Sequence, residues 1–313
     1  MPSVAPSLRI VFAGTPAVAV PTLDALAESR HELVGAVTRA DAPLGRKRTL
    51  TPSPVATRAA ELAVPVIKAN RLRDDETEAV RALAPDLGVI VAYGGLLRAP
   101  MLAVPRLGWI NLHFSLLPRW RGAAPVQRAV MAGDTETGSA VFQLVEELDA
   151  GDVFSLERRP IGPDETAGQV LEALSFSGAA QLASVVDAIA AGEAVAAPQQ
   201  GEPTLAAKLT LDDARLALTD AGDAVYARLR GVSPEPGAFV VLGGERFKIH
   251  AARLAKGADR LAPGAFGSRG GRVYLGTATH PLELLIVQPA GKKAMAAADW
   301  WRGLQNPEGM VAE

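Results

Sequence analysis

Two hydrophobic patterns divide this chain. Up to about residue 190, short apolar runs alternate with segments of helical spacing. Residues 8–13, 32–38, 64–67 and 86–92 read as strands, the last a nearly continuous apolar run of the kind found in central parallel strands. Residues 18–29, 54–63 and 74–83 read as helices between them. The second of these is opened by Ser53 as N-cap and Pro54 in the first turn. Strand and helix in alternation predict a doubly wound α/β sheet. The pattern continues with a strand over 109–113, a helix over 125–132, strands over 138–148 and 153–158, and a long helix over 166–191. The Ala-rich run 178–197 is interrupted by Gln181, Ser184, Asp187 and Glu193, and reads as an amphipathic helix facing water on one side.

Beyond that point the period changes. Residues 190–204 are rich in Ala, Gly, Pro and Gln without periodicity, as in a connecting segment. Short helices are expected over 210–218 and 223–230. Strand-like runs follow at 238–242, 247–251, 272–275 and 282–288, separated by Gly243-Gly244, Pro263-Gly264 and Gly270-Gly271. Short strands with such turns predict a small β-barrel. The chain is therefore read as a catalytic domain over 1–190, a linker over 191–207 and a β-barrel domain over 208–313.

Composition narrows the classes. The 313 residues are 49% hydrophobic with a net charge of −2, so a large core is available and no global polyanion-binding charge exists. The halves differ in sign, however. Residues 1–207 carry 18 Lys and Arg against 23 Asp and Glu, and residues 208–313 carry 14 against 11. A mildly basic second domain fits a polyanionic partner. There is no cysteine, which excludes disulfides, thiolate metal sites and a Cys nucleophile. His31, His113, His250 and His280 lack ligand-like spacing, so no metal is expected. No basic-then-apolar leader and no uninterrupted apolar segment of about 18–20 residues is present. A cytoplasmic protein away from membranes is the expectation. The first strand is followed by the single glycine Gly14, not by G-x-G-x-x-G, which argues against a dinucleotide.

Candidate chemistry concentrates at 108–122. Side chains alternate along a strand, so Asn111 and His113 share a face and Leu112 takes the other. A single histidine beside an apolar strand is more often structural than catalytic. An amide on the same face changes that balance, since two polar side chains are hard to bury together without a purpose. Phe114, Leu116 and Leu117 nearby suit a slot for a flat ligand. The acidic turn 146–152 ends a strand and begins another. Its rigid member is expected to be Asp149, beside Ala150 and Gly151. Tyr93, Gly94 and Gly95 end a strand where ligand and backbone can approach. The loop after the second strand holds Arg39, Arg46, Lys47 and Arg48 against the single acid Asp41. It reads either as a solvated loop or as a basic finger for phosphates.

Asn111, His113, Ser115, Leu116, Leu117 and Pro118, followed by the run from Arg119 to Gln127, resemble the signature of the folate-dependent formyltransferase family. Asp149, Gly151 and Asp152 match its second part. The segments 12–16, 50–54, 91–94 and 288–293 are most similar to the members that formylate methionyl-tRNA, and the likeness covers nearly the whole chain. It implies a Rossmann-like formyltransferase domain followed by a small OB-like β-barrel. It implies transfer of a formyl group from 10-formyltetrahydrofolate to the α-amine of methionyl initiator tRNA, in translation initiation. Asn111, His113 and Asp149 are implied as catalytic. Ser115, Leu116, Leu117 and Pro118, with Val91, Ala92, Tyr93 and Gly94, are implied to bind folate. Arg39, Arg46, Lys47 and Arg48 are expected to meet the tRNA, and the chain to act as a monomer. The alternatives are formyl transfer to a small amine such as glycinamide ribonucleotide or an amino-sugar nucleotide, formyltetrahydrofolate hydrolysis, and a non-catalytic RNA-binding protein.

Overall fold

A computed structural model describes residues 6–45 and 47–313. They form two compact units, each built from three stretches of chain. The first comprises the described residues of Met1–Ala123 with Thr137–Arg159 and Leu171–Ala206. The second comprises Ala124–Glu136, Pro160–Val170 and Ala207–Glu313.

The strands that lie wholly or, for β9 and β10, all but one terminal residue in the first unit are, in chain order, β1 (Arg9–Gly14), β2 (Glu32–Thr38), β3 (Ala42–Leu44), β4 (Thr49–Thr51), β5 (Val66–Lys68), β6 (Leu87–Val91), β7 (Trp109–His113), β8 (Arg121–Gly122), β9 (Glu136–Gln143), β10 (Val153–Pro160) and β11 (Leu205–Ala206). Seven of them make one sheet in the order β10-β9-β7-β6-β1-β2-β5. From β7 to β5 all neighbours are parallel, and β9 runs antiparallel to β7. The chain leaves β1 toward β2 in one direction and resumes at β6 on the other side. The switch in strand order therefore lies between β1 and β6, where such sheets open a ligand crevice at their carboxyl ends.

Burial explains why these runs became strands. Residues 10–14 of β1 and all of β6 are buried, as both faces of a central parallel strand require. Trp109 packs flat on β6 opposite Gly88, where a Cβ would lie 2.1 Å from the indole. Its Nε1 donates to Met101 O at 2.9 Å, so the large side chain starting β7 is fixed at both ends. Ser53 caps the helix Pro54–Glu61 by accepting from Ala56 N, as its sequence position predicts. The basic loop contains a short hairpin, β3 paired with β4, which its composition did not reveal.

The helix Ala167–Ala191 ends one residue before Gly192, whose positive φ of 73° stops it, so residues 192–197 are not helical as the Ala-rich run had implied. By length and composition this helix is apolar enough to cross a membrane, a property that counting uninterrupted apolar residues passed over. Half of its most apolar window is buried inside the protein. Gln181 on it accepts from Ser139 Oγ at 2.6 Å and donates to Ser155 Oγ at 3.0 Å, which ties it to β9 and β10 as a core helix.

In the second unit, β12 (Phe239–Leu242), β13 (Glu245–Leu254), β14 (Phe266–Arg269), β15 (Arg272–Leu275) and β16 (Leu282–Gln288) form a curled antiparallel sheet, with β17 (Met295–Ala296) added to β16. Its core joins Phe247, Phe266 and Trp300, stacked within 4.6–5.8 Å, to Tyr226 and Leu229 of the helix Gly222–Gly231. The half-barrel matches an OB-like domain. Residues 310–313 bridge its two edges. Glu313 pairs with Val241 beside β12, and Phe266 N of β14 donates to Met310 O.

Candidate active site

Loops at the carboxyl ends of the parallel strands are tied to one another. Thr15, after β1, donates its hydroxyl to Tyr93 O at 2.8 Å, and its Oγ1 accepts from Arg39 N, after β2. Tyr93 is buried, its hydroxyl donates to Ala69 O, and desolvation raises its pKa above the usual tyrosine value. Ala92 and Gly94 both have positive φ, so the chain turns tightly past the end of β6. Val91 is buried within β6. Arg39 is a strut of this region: Nη1 donates to Gly94 O at 2.6 Å and Nε to Asn70 Oδ1 at 3.0 Å. A cavity of about 780 Å³ opens beside Tyr93, lined by Arg71, Arg73, Asp74, Leu96 and Arg98. Its arginines belong to no motif, and only the fold gathers them.

β7 projects the polar pair as its alternation predicts. Leu112 packs toward Gly178, while Asn111 is half-buried on the opposite face beside Phe142 of β9. His113 is buried. Its Nε2 donates to Trp120 O at 2.9 Å, and its ring meets the edge of Phe142 at a centroid distance of 6.4 Å. Nδ1 then faces Asp149 Oδ2 at 3.7 Å. Asp149 is buried while Glu146, Glu147 and Asp152 are exposed, and its Oδ2 accepts from Gly122 N at 2.7 Å. Its φ of 46° is rare for a residue with a side chain and is held by the surrounding turn. At Gly151 a Cβ would lie 1.7 Å from Gln143 O, so only glycine permits the close return of this turn onto β9.

The segment after His113 is more internal than an open slot would be. The Ser115 hydroxyl is fully buried and donates to Arg119 O at 2.6 Å. Leu117 packs with Ala140 and Phe142, Pro118 is buried, and Leu116 is half-buried against Gly138. Lys47 and Arg48 are exposed at the tip of the β3–β4 hairpin, and Arg46 lies outside the described residues. Sequence reasoning missed Gln199. The aperiodic segment around it contributes β11, which pairs in parallel with β8. Gln199 Nε2 donates to the carbonyls of Asp149 and Gly151. Among the described residues no cluster of three or more His, Asp or Glu has the arrangement of a metal site.

Comparison with known proteins identifies the family and the fold. A formyl transferase family model matches residues 8–186, and a formyl transferase C-terminal domain model matches 208–305. The methionyl-tRNA formyltransferase of Leifsonia xyli subsp. xyli is 64% identical over 95% of this chain and 97% of its own length. That of Clavibacter sepedonicus is 60% identical over 96% and 99%. Among solved structures, WlaRD, a sugar 3N-formyl transferase crystallised with dTDP and 5-N-formyl-THF, superposes with a TM-score of 0.65 at 14% identity, over 92% of this chain and all of that one. HypX from Aquifex aeolicus in complex with tetrahydrofolic acid gives 0.63 at 17% identity over 94% of this chain, which spans about half of its length (47%). At such identities these likenesses establish the fold. The chain belongs to the methionyl-tRNA formyltransferase family of formyl transferases.

Proposed function

We propose that this protein transfers the formyl group of 10-formyltetrahydrofolate to the α-amine of methionine on initiator tRNA, in translation initiation. The convergence of Asn111, His113 and Asp149 at the end of β7 carries the chemistry. The names and near-complete coverage of the relatives carry the substrate.

In this reading the neutral amine attacks the formyl carbon, and the carbon–nitrogen bond to folate breaks after the tetrahedral intermediate forms. The proton leaving the amine reaches the departing folate nitrogen, so charge and atoms balance. The Asn111 amide donates to the oxygen as it becomes negative. Nε2 of His113 is committed to Trp120 O, which leaves Nδ1 as the working nitrogen. Protonated, Nδ1 donates to the same oxygen. Asp149, 3.7 Å away, stabilises that cation or passes the amine proton through a water. The pterin lies against Leu116 and the backbone of residues 91–94. Ser115, Leu117 and Pro118 shape this slot by fixing the loop from within. The carboxylate-bearing end of the folate points toward Arg71, Arg73 and Arg98, with Asp74 the opposing charge. Lys47, Arg48 and Arg46 meet the acceptor end of the tRNA, while Arg39 supports the folate loop. The protein works as a monomer in the cytoplasm.

One assay tests this reading: protein, 10-formyltetrahydrofolate and methionyl initiator tRNA, with methionyl elongator tRNA as control. Formyl-methionyl initiator tRNA is expected, with little product from the control. Formate release independent of tRNA would identify a hydrolase instead.

A further inference from the structure

The turn carrying Asp149 is gripped by one side-chain amide, and all four hydrogen-bonding positions of that amide are used. Gln199 Nε2 donates to Asp149 O at 2.8 Å and to Gly151 O at 2.9 Å. Its Oε1 accepts from Arg121 Nε at 3.1 Å and Nη2 at 2.8 Å. The guanidinium has only donors, so it forces the amide oxygen toward itself and the NH₂ toward the two carbonyls. Arg121 Nη1 in turn lies 3.3 Å from Glu147 Oε1. Gln199 is half-buried although Pro198 and Gln200 on either side are exposed.

The contacts close into a ring. His113 donates to Trp120 O, and Gly122 N donates to the Asp149 carboxylate. Arg121 stands between them and holds Gln199, which holds the backbone under Asp149. The connecting segment is fastened to the same loop by Thr204, which accepts from Trp120 N through Oγ1 and from Arg121 N through its carbonyl. Asp149 needs such support, because its left-handed backbone is unfavourable for a residue with a Cβ.

We propose that Gln199, oriented by Arg121, is a positioning residue that holds the Asp149 turn so that its carboxylate faces His113. The inference rests on the role for Asp149 given above. Gln199 touches no reacting atom in this scheme and acts only through the turn.

The test uses the full chain with four variants: Gln199→Leu, Gln199→Glu, Asp149→Asn, and Gln199→Leu combined with Asp149→Asn. Each is checked for folding by circular dichroism, and kcat and the KM for 10-formyltetrahydrofolate are measured. Gln199→Leu is expected to lower kcat by about tenfold or more while KM stays within about twofold, since a misplaced catalytic group costs turnover more than binding. Gln199→Glu keeps a partner for Arg121 but has no N–H for the carbonyls, and is expected to be as slow as the Leu variant. In the Asp149→Asn background the Leu replacement should add less than about twofold, because the two act as a unit. Wild-type kcat in Gln199→Leu, recovery in Gln199→Glu, or losses that multiply in the double variant would overturn the proposal. If the Leu variant fails to fold, Gln199→Glu alone and with Asp149→Asn gives the same cycle. Wild-type turnover in Asp149→Asn would instead remove Asp149 from the chemistry, a result separable from the others.

Discussion

His113 is the residue at which a structural role and the proposed catalytic one coincide. It is buried, as a structural histidine would be, and one ring nitrogen holds a backbone carbonyl. That bond also fixes the ring so that the other nitrogen faces a carboxylate brought from a distant turn. Under the proposed reaction, burial and chemistry are therefore not alternatives, because a ring locked on one side is pre-organised on the other. Removing a transition-state donor costs about 3–4 kcal/mol, so Asn111→Ala and His113→Ala are each expected to lose on the order of 10²–10³-fold in kcat. Single-turnover rates with saturating folate check this, and either variant turning over near the wild-type rate excludes that residue. Asn111 and His113 were legible in the sequence because strand alternation is a local property. Asp149 was distinguishable from its acidic neighbours only by its glycine. The 3.7 Å meeting of the two stretches depends on β9 pairing beside β7, which no local pattern encodes.

Among the elements, the β3–β4 hairpin stands out by its exposure. Leu44 and Leu50 are 59% and 68% exposed beside Lys47 and Arg48, and the hairpin supplies little to the core. Each cation on a phosphate contributes about 0.7–0.9 to the slope of log affinity against log salt. Lys47→Ala with Arg48→Ala is expected to weaken tRNA binding and to flatten that slope by up to about two units, with folate affinity unchanged. Binding titrations at several salt concentrations decide it, and an unaltered slope would place the tRNA elsewhere. The helix Pro54–Glu61 next to it starts at a cap readable from sequence, Ser53, whose Oγ also lies 2.6 Å from Thr38 Oγ1. Ser53→Ala should cost about 1 kcal/mol in urea unfolding. By contrast, β8 and β11 are two residues each, too short for any hydrophobic period to announce them.

Across the whole molecule, the second unit must be assembled from three stretches of chain. An ion pair joins two of them: Arg128 Nη1 and Nη2 lie 2.7 and 3.2 Å from the Asp213 carboxylate, which also accepts from Thr210 N and Oγ1. The Arg128 hydrogen bonds are the main cause that lowers the Asp213 pKa to about 2. The unfolded chain titrates near the ordinary value of about 3.9, so the folded state binds fewer protons between these limits. The resulting stabilisation, on the order of 2 kcal/mol, is full above about pH 5 and is lost as pH falls from about 4 through 2. Asp213→Asn is thus expected to lower the stability of the second unit at pH 7 and to make little difference near pH 2. Hydrogen exchange of the amides in β12–β16, measured at both pH values, checks it. An equal loss at both pH values would assign the effect to packing instead.

What the sequence determined by itself is whatever depends on near neighbours. The buried runs of β1 and β6, the alternation that puts Asn111 and His113 on one face, the cap at Ser53 and the change of period after residue 190 are all set by side chains a few positions apart. What only the tertiary structure decided is which distant stretches meet. Residues 191–207 are weakly patterned because their interactions are hydrogen bonds to another loop, made by single residues such as Gln199 and Thr204, not an apolar face. The same holds for the arginines gathered beside Tyr93 and for the pairing of residues 310–313 with both edges of the half-barrel. A hydrophobic period records burial along one element. A polar contact between remote residues leaves no period, and it exists only once the sheet has brought its partners together.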